Sequence, residues 1–394
     1  SDWLLKRIPN KALNRSSASF FDIGVGINHE MNSKNLFDLT AYTSNDKFKL
    51  NADTLYQYNN TNAALKWKHI FNDKFYGSFV ASYSGYDYTF ESEKVPVNAF
   101  TMSYRISQSN VKADFNYSPN AKHNIGFGVS SIYYDLSPGN FKPKGEESLV
   151  IPENLQKEQG FENVIYVGDQ YAITPKLSVY GGIRFSLYDY LGQRDVYTYE
   201  ANLPKTEENI IDTVSYGSRE SIARYGAPEY RVSLNYALQN NSSIKFSYNR
   251  LRQYIQTLSN TTAISPTDIW KLSDSYIKPQ VGDQFAVGYY KNLKGNTIET
   301  SVEAYYKSIE NTLDYKGGAV LLLNHHIETD VVNAQGKSYG VELLIKKATG
   351  KINGWMSYTY SRSFLKTESE FTSETINDGK YYPSNYDKPH AVNF

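Results

Sequence analysis

Tyr230-Arg-Val-Ser-Leu-Asn-Tyr-Ala-Leu238, a polar break at Gln239 to Ser242, then Ile244-Lys-Phe-Ser-Tyr-Asn249: this stretch decides the fold. In its first half Tyr230, Val232, Leu234, Tyr236 and Leu238 fall on one face, and Arg231, Ser233, Asn235 and Ala237 on the other. That is the period of two of a β-strand. In the second half Ile244, Phe246 and Tyr248 oppose Lys245, Ser247 and Asn249. One face suits hydrocarbon and the other water.

The same alternation recurs along the chain. Phe21, Ile23, Val25 and Ile27 face away from Asp22, Gly24, Gly26 and Asn28. Leu177, Val179, Ile183, Phe185 and Leu187 alternate with Ser178, Tyr180, Gly182, Arg184 and Ser186. Tyr339, Val341, Leu343 and Ile345 alternate with Gly340, Glu342, Leu344 and Lys346. Periodicity alone cannot say which face is inside, because a soluble barrel fills its interior with apolar side chains. The connections decide. Short turns fall at Met31 to Lys34, Asn72 to Lys74, Ser118 to Lys122, Thr174 to Lys176, Gln239 to Ser242, Lys294 to Asn296 and Thr349 to Lys351. They are rich in Asn, Gly, Pro, Ser and Lys, which suit tight reversals. Between them lie long polar segments, among them Pro138 to Gly160, Gly192 to Pro228, Gln253 to Val281 and Ile309 to Lys337. Bacterial outer-membrane barrels place short turns in the periplasm and long loops outside. The expected fold is therefore all-β, an antiparallel transmembrane β-barrel wall of about 15 strands.

Composition agrees. Lys plus Arg and Asp plus Glu number 41 each, so no basic field points to nucleic acid. Cysteine is absent, which excludes disulfides, thiolate metal sites and a Cys nucleophile. Mean hydropathy is −0.55, and no run reaches the roughly 18 apolar residues of a membrane helix. A barrel strand needs only about 9 to 11 residues, every second one apolar. The 36 Tyr and 19 Phe suit headgroup-level girdles. Tyr133, Tyr134, Tyr188, Tyr190, Tyr305, Tyr306, Tyr358 and Tyr360 near strand ends are expected to lie in such girdles. Ser1 to Asn10 holds no signal-peptide apolar region. The odd strand number, with only half a strand at His390 to Phe394, leads us to expect a fragment with strands missing at both ends.

From about Asn249 onward several phrases carry a resemblance: Tyr276-Ile-Lys-Pro-Gln280, Gln284-Phe-Ala-Val-Gly-Tyr-Tyr290, Glu303-Ala-Tyr-Tyr-Lys307, Ser338-Tyr-Gly-Val-Glu342 and Asn385-Tyr-Asp-Lys-Pro-His390. In this order they resemble the barrel of TonB-dependent outer-membrane receptors of the Bacteroidetes type. The resemblance implies a barrel of about 22 strands, a plug domain, and nutrient uptake driven through TonB, ExbB and ExbD. Neither a plug nor a TonB box is recognisable in this sequence, so both are expected in a region outside these residues. A surface lipoprotein and outer-membrane lipid are the other expected partners, and no cofactor is expected.

Candidate substrate contacts in the long segments are Arg250, Arg252, Tyr254, Trp270 and Tyr276, because aromatic faces with Arg forks suit sugars, peptides or anionic chelates. The alternative is girdle anchoring and loop packing. Candidate lumen- or plug-facing charges are Arg184, Arg231, Lys245, Glu299, Glu303, Glu342 and Lys346, the alternative being interstrand pairing. His325 and His326, with Glu328 and Asp330, are not expected to hold a metal, since adjacent residues of an extended chain point apart. Pro389 cannot donate to a ladder and should mark a loop-to-strand boundary. No Gly-x-Ser-x-Gly elbow, phosphate loop or His-Glu-x-x-His helix is present, so no enzyme is expected. Two further classes compete with the importer: a scaffold or adhesin barrel that transports nothing, and a passive porin.

Overall fold

The computed structural model describes residue 7 and residues 16–50, 54–239, 241–259 and 268–394. The wall opens with β1 (Ser17–Asn32), β2 (Asn35–Leu50), β3 (Thr54–Asn72), β4 (Phe75–Ser92), β5 (Phe100–Asn120) and β6 (His123–Pro143). A two-residue β7 (Glu153–Asn154) precedes β8 (Glu158–Thr174) and β9 (Leu177–Leu191). A loop hairpin, β10 (Arg194–Tyr199) and β11 (Ile210–Tyr216), separates these from β12 (Ser221–Ala237) and β13 (Ser242–Gln253). A second hairpin, β14 (Ile255–Leu258) and β15 (Ile269–Leu272), leads to β16 (Gln280–Leu293) and β17 (Ile298–Tyr315). One helical turn, α1 (Ile327–Asp330), precedes β18 (Val331–Lys347) and β19 (Gly354–Lys366), and β20 (Tyr382–Pro383) and β21 (His390–Asn393) end the chain.

Each wall strand pairs antiparallel with the next wall strand in sequence, from β1 through β6, then β8, β9, β12, β13, β16 to β19, and β21. This meander is the expected antiparallel wall, and its last member, β21, covers four residues.

The turns show why the chain reverses where it does. Asn32, Asn72 and Asn120 each end a strand and accept a hydrogen bond from the backbone N–H of Lys34, Lys74 and Lys122, at 3.0, 2.9 and 2.8 Å. Thr174 Oγ1 does the same for Lys176 at 3.2 Å. These side-chain-closed turns need no left-handed glycine. At the other end the connections are less uniform than expected. β2 runs as far as Leu50 and β3 starts at Thr54, so strand reaches far into this connection from both sides. β6, β12, β17 and β18 likewise extend into the segments read as loops.

The apolar face is the outer one. Val232 is 43% exposed, whereas Glu229 on the opposite face of β12 is 3% exposed. Ile23, Val25, Ile183, Phe185, Phe246, Val287, Val302, Val341 and Ile345 are exposed in the same way. The opposite face gathers hydroxyls, amides and charges, and the described residues include no helix long and apolar enough to cross a membrane. A soluble barrel would invert this distribution. On the outer face near the short turns, Trp67, Phe79, Phe115, Phe75 and Phe71 form a continuous run of ring contacts. Asp169, which fits neither face by pattern, pairs with His123 Nδ1 at 2.6 Å, and the His123 ring stacks on Tyr171.

The tyrosines correct one expectation. Tyr134, Tyr188 and Tyr190 are not girdle residues but lie buried on the lumenal side. Tyr188 and Tyr190 share the face of Arg184 and Ser186, so the period of two turns them inward. Tyr306 is exposed.

Candidate functional site

The β14–β15 hairpin packs against the inner face of β6, β8 and β9 at the loop end. Tyr254, Leu258, Ile269 and Leu272 are apolar and buried, and in a polar lumen they have one place to go. Leu272 joins Tyr134, Leu136, Tyr188, Tyr190 and Tyr254 in one core, with Tyr188 and Tyr254 stacked at 4.6 Å. The Tyr188 hydroxyl donates to Ser273 O at 3.0 Å.

A buried charge cluster pins the hairpin to the wall. Lys271 Nζ lies 2.9 Å from Glu158 Oε1 and 2.6 Å from Asp274 Oδ2, and donates to Leu272 O at 3.1 Å. Glu158 Oε2 accepts from Leu272 N at 2.9 Å. Arg194 approaches Glu158 Oε1 at 3.5 Å and donates to the Tyr190 hydroxyl. Asp274 Oδ1 accepts from Tyr276 N and Ile277 N, both at 2.8 Å. Burial alone would pull the Lys271 pKa down, but Asp274 and Glu158 outweigh it and hold the ammonium above its usual range. Burial would likewise raise Asp274, yet Lys271 and the two backbone N–H groups hold it below the usual carboxylate value.

Deeper in the lumen, Arg184 bridges Glu162, at 2.6 Å, and Glu229. Ser186 Oγ donates to Glu229 Oε1 at 2.9 Å and lies 2.7 Å from the Tyr254 hydroxyl, while Tyr134 donates to Glu162 Oε2 at 3.0 Å. The two storeys together weld the loop hairpin to β8, β9 and β12.

Between this hairpin and β4, β5 and β6 lies a cavity of about 530 Å³. Tyr86, Tyr88, Tyr104 and Leu136 line its wall side, and Trp270 and Tyr386 the loop side. A size within about 300–1,000 Å³, an apolar lining and a few polar groups are what small-molecule sites have in common.

Of the candidate substrate contacts, the structure brings only Trp270 to this cavity. Arg250 and Arg252 lie in β13 rather than in a loop, because the ladder to β16 runs on to Gln253. Arg250 approaches Asp283 at 3.9 Å. Arg252 donates its backbone N–H to Glu229 at 3.4 Å, and its Nε is buried without a partner. Tyr254 belongs to the core beneath the hairpin, and Tyr276 donates to Tyr197 O. The cavity tyrosines escaped sequence reading because lumenal and lipid-facing tyrosines look alike in a strand. The signal was parity: Tyr86, Tyr88 and Tyr104 fall opposite Phe79 and Val111, the outward residues of their strands.

Among the lumen candidates, Arg184 forms the bridge described above, and Arg231 lines with it a second cavity of about 400 Å³. Lys245 Nζ stands 4.4 Å over the Tyr290 ring. Glu299 pairs with Lys346 at 3.3 Å, whereas Glu303 and Glu342 face each other directly. His325 Nε2 meets Glu153 at 2.9 Å while the His326 ring rests on Tyr197. Among the described residues no group of three or more His, Asp or Glu side chains is arranged around a metal site. Asp387 accepts from Arg362 and from Ser363 N, and β21 starts directly after Pro389.

The family profile described as TonB dependent receptor-like, beta-barrel, matches residues 10–393. The chain belongs to this family. It is an integral outer-membrane barrel wall. None of the curated proteins matches the sequence. Among solved structures, the copper transporter OprC superposes with a TM-score of 0.64 at 9% identity, over 89% of this chain and 55% of that one. The ferripyoverdine receptor of the outer membrane of Pseudomonas aeruginosa gives 0.64 at 13% identity, over 96% and 52%. The Serratia marcescens hemophore receptor HasR, solved with its hemophore HasA and heme, gives 0.60 at 12%, over 96% and 59%. The TonB-dependent receptor chain thus spans little more than half the length of these proteins.

Proposed function

We propose that this chain is the wall of a receptor that takes up a nutrient across the outer membrane, with energy delivered through TonB, ExbB and ExbD. The observation that carries the reading is a ligand-sized cavity at the loop end of a lipid-facing wall whose family is that of TonB-dependent receptors. Support for the Bacteroidetes type, and with it a surface lipoprotein partner, comes from the phrases between Tyr276 and His390. The lumenal charges Arg231, Lys245, Glu303 and Glu342 are proposed to face a plug carried by another region of the receptor, which also holds the TonB box. Trp270 is proposed as a substrate contact.

The full-length protein should bind the periplasmic domain of TonB, and liposomes containing it should stay unswollen in isosmotic raffinose. Swelling without TonB binding would make the barrel a passive pore and overturn the reading.

A further inference from the structure

Phe48, Tyr56, Tyr58, Tyr88 and Tyr104 form a row across β2, β3, β4 and β5, on the lumenal face near the loop end. Successive rings are stacked at 4.7 Å, 6.2 Å from Phe48 to Tyr58, 5.1 Å and 5.8 Å, with interplanar angles of 10° to 27°. Rings stacked on one another spend their faces on each other. Stacking leaves their edges, which for four of the five carry a phenol hydroxyl, and the Tyr104 hydroxyl donates to Met102 Sδ at 3.5 Å.

The row ends in the 530 Å³ cavity, where Tyr88 and Tyr104 are joined by Tyr86. Tyr88 is 1% exposed, and its hydroxyl is buried with no hydrogen-bond partner. A buried hydroxyl without a partner is unfavourable unless something occupies the cavity and bonds to it. Across the cavity Trp270 is partly exposed and has no ring stacked on it among the described residues. Its indole offers the apolar face that the tyrosine row does not.

Charge narrows the ligand. Arg105 borders the cavity, but its guanidinium bonds to the Tyr83 hydroxyl at 3.1 Å and approaches Asp87 at 3.6 Å, neither of which lines the space. Among the described lining residues the other charged one is Asp268. The one cation among those described residues is therefore already held by Tyr83 and Asp87. A ligand with one flat apolar face and a rim of hydroxyls satisfies both sides.

We propose that the cavity is a carbohydrate subsite, in which one neutral sugar ring lies on the Trp270 indole and bonds through its hydroxyls to the tyrosine tips, Tyr88 foremost. The proposal rests on the receptor reading above and names its substrate class as a neutral glycan.

The test uses the full-length protein in detergent on an array of neutral plant, bacterial and animal oligosaccharides, followed by calorimetric titration of the best binder. Binding to a neutral glycan is expected. Tyr88→Phe, which removes only the oxygen, should weaken it about fivefold, and Trp270→Ala about tenfold. Trp355→Ala, at the opposite end of the wall, should leave it unchanged. Binding to no neutral glycan, or binding indifferent to both Tyr88→Phe and Trp270→Ala, overturns the subsite. The two readings fail separately. TonB-dependent accumulation of a ferric chelate without glycan binding would keep the receptor and remove the subsite, whereas glycan binding without TonB binding would do the reverse.

Discussion

Lys271→Met is expected to release the β14–β15 hairpin, at a cost of about 3–5 kcal/mol, because it leaves the buried Asp274 without its cation and Glu158 with only Arg194 at 3.5 Å. The double variant Lys271→Met with Glu158→Leu should recover part of the loss, since Asp274 keeps its two backbone donors. Hydrogen exchange of the Ile269–Leu272 amides in the full-length protein reads the effect directly, and unchanged protection in the single variant would refute the pin. The pH dependence follows from the same cluster. Asp274 has a depressed pKa in the folded state, so its contribution is complete above the unfolded value of about 3.9 and is lost as pH falls through the lower folded one. Lys271 has a raised pKa, so its contribution is complete below about 10.4 and is lost only as pH rises through the higher folded value. Hairpin protection should therefore be flat from about pH 4 to 10. A step near neutrality would contradict the assignment.

Val232→Arg is the second large effect. Val232 lies on the outer face of β12, six residues from the short turn that starts after Ala237 by its numbering, near the middle of a crossing of about 9 to 11 residues. An arginine there should lower stability in phospholipid vesicles by about 2–4 kcal/mol. Ser233→Arg, one residue on and facing the lumen, should change it by about 0.5 kcal/mol or less. Urea unfolding of the full-length protein measures both, and the reverse ranking would mean that the faces have been exchanged.

Much of the wall was legible in the sequence because a half-lipid, half-water strand writes its geometry as alternation. Asn32, Asn72, Asn120 and Thr174 mark turns whose closing bonds they make themselves, and Pro389 marks the start of β21. The interior was less legible. Tyr188 and Tyr306 have the same ring and hydroxyl, yet one is buried over the lumen and the other is exposed. Only their parity relative to Arg184 and Val302 separates them. The hairpins β10–β11 and β14–β15 were hidden because their strands are six, seven and four residues long and sit in polar surroundings. Tyr254 looked like a loop ligand for the same reason: what buries it is Tyr188, 66 positions earlier by numbering and brought close only by the wall.

The pin between Glu158 and Lys271 also sets an order of assembly. Every wall pairing joins consecutive wall strands, so hairpins can form from local chain and add one after another, with little loop entropy to overcome at each tight turn. The contact from Leu272 N to Glu158 spans 114 positions and has no meaning until β8, β9, β12 and β13 stand side by side. The hairpin therefore docks only after β8 to β13 are in place. Until it does, the cavity beneath Trp270 does not exist.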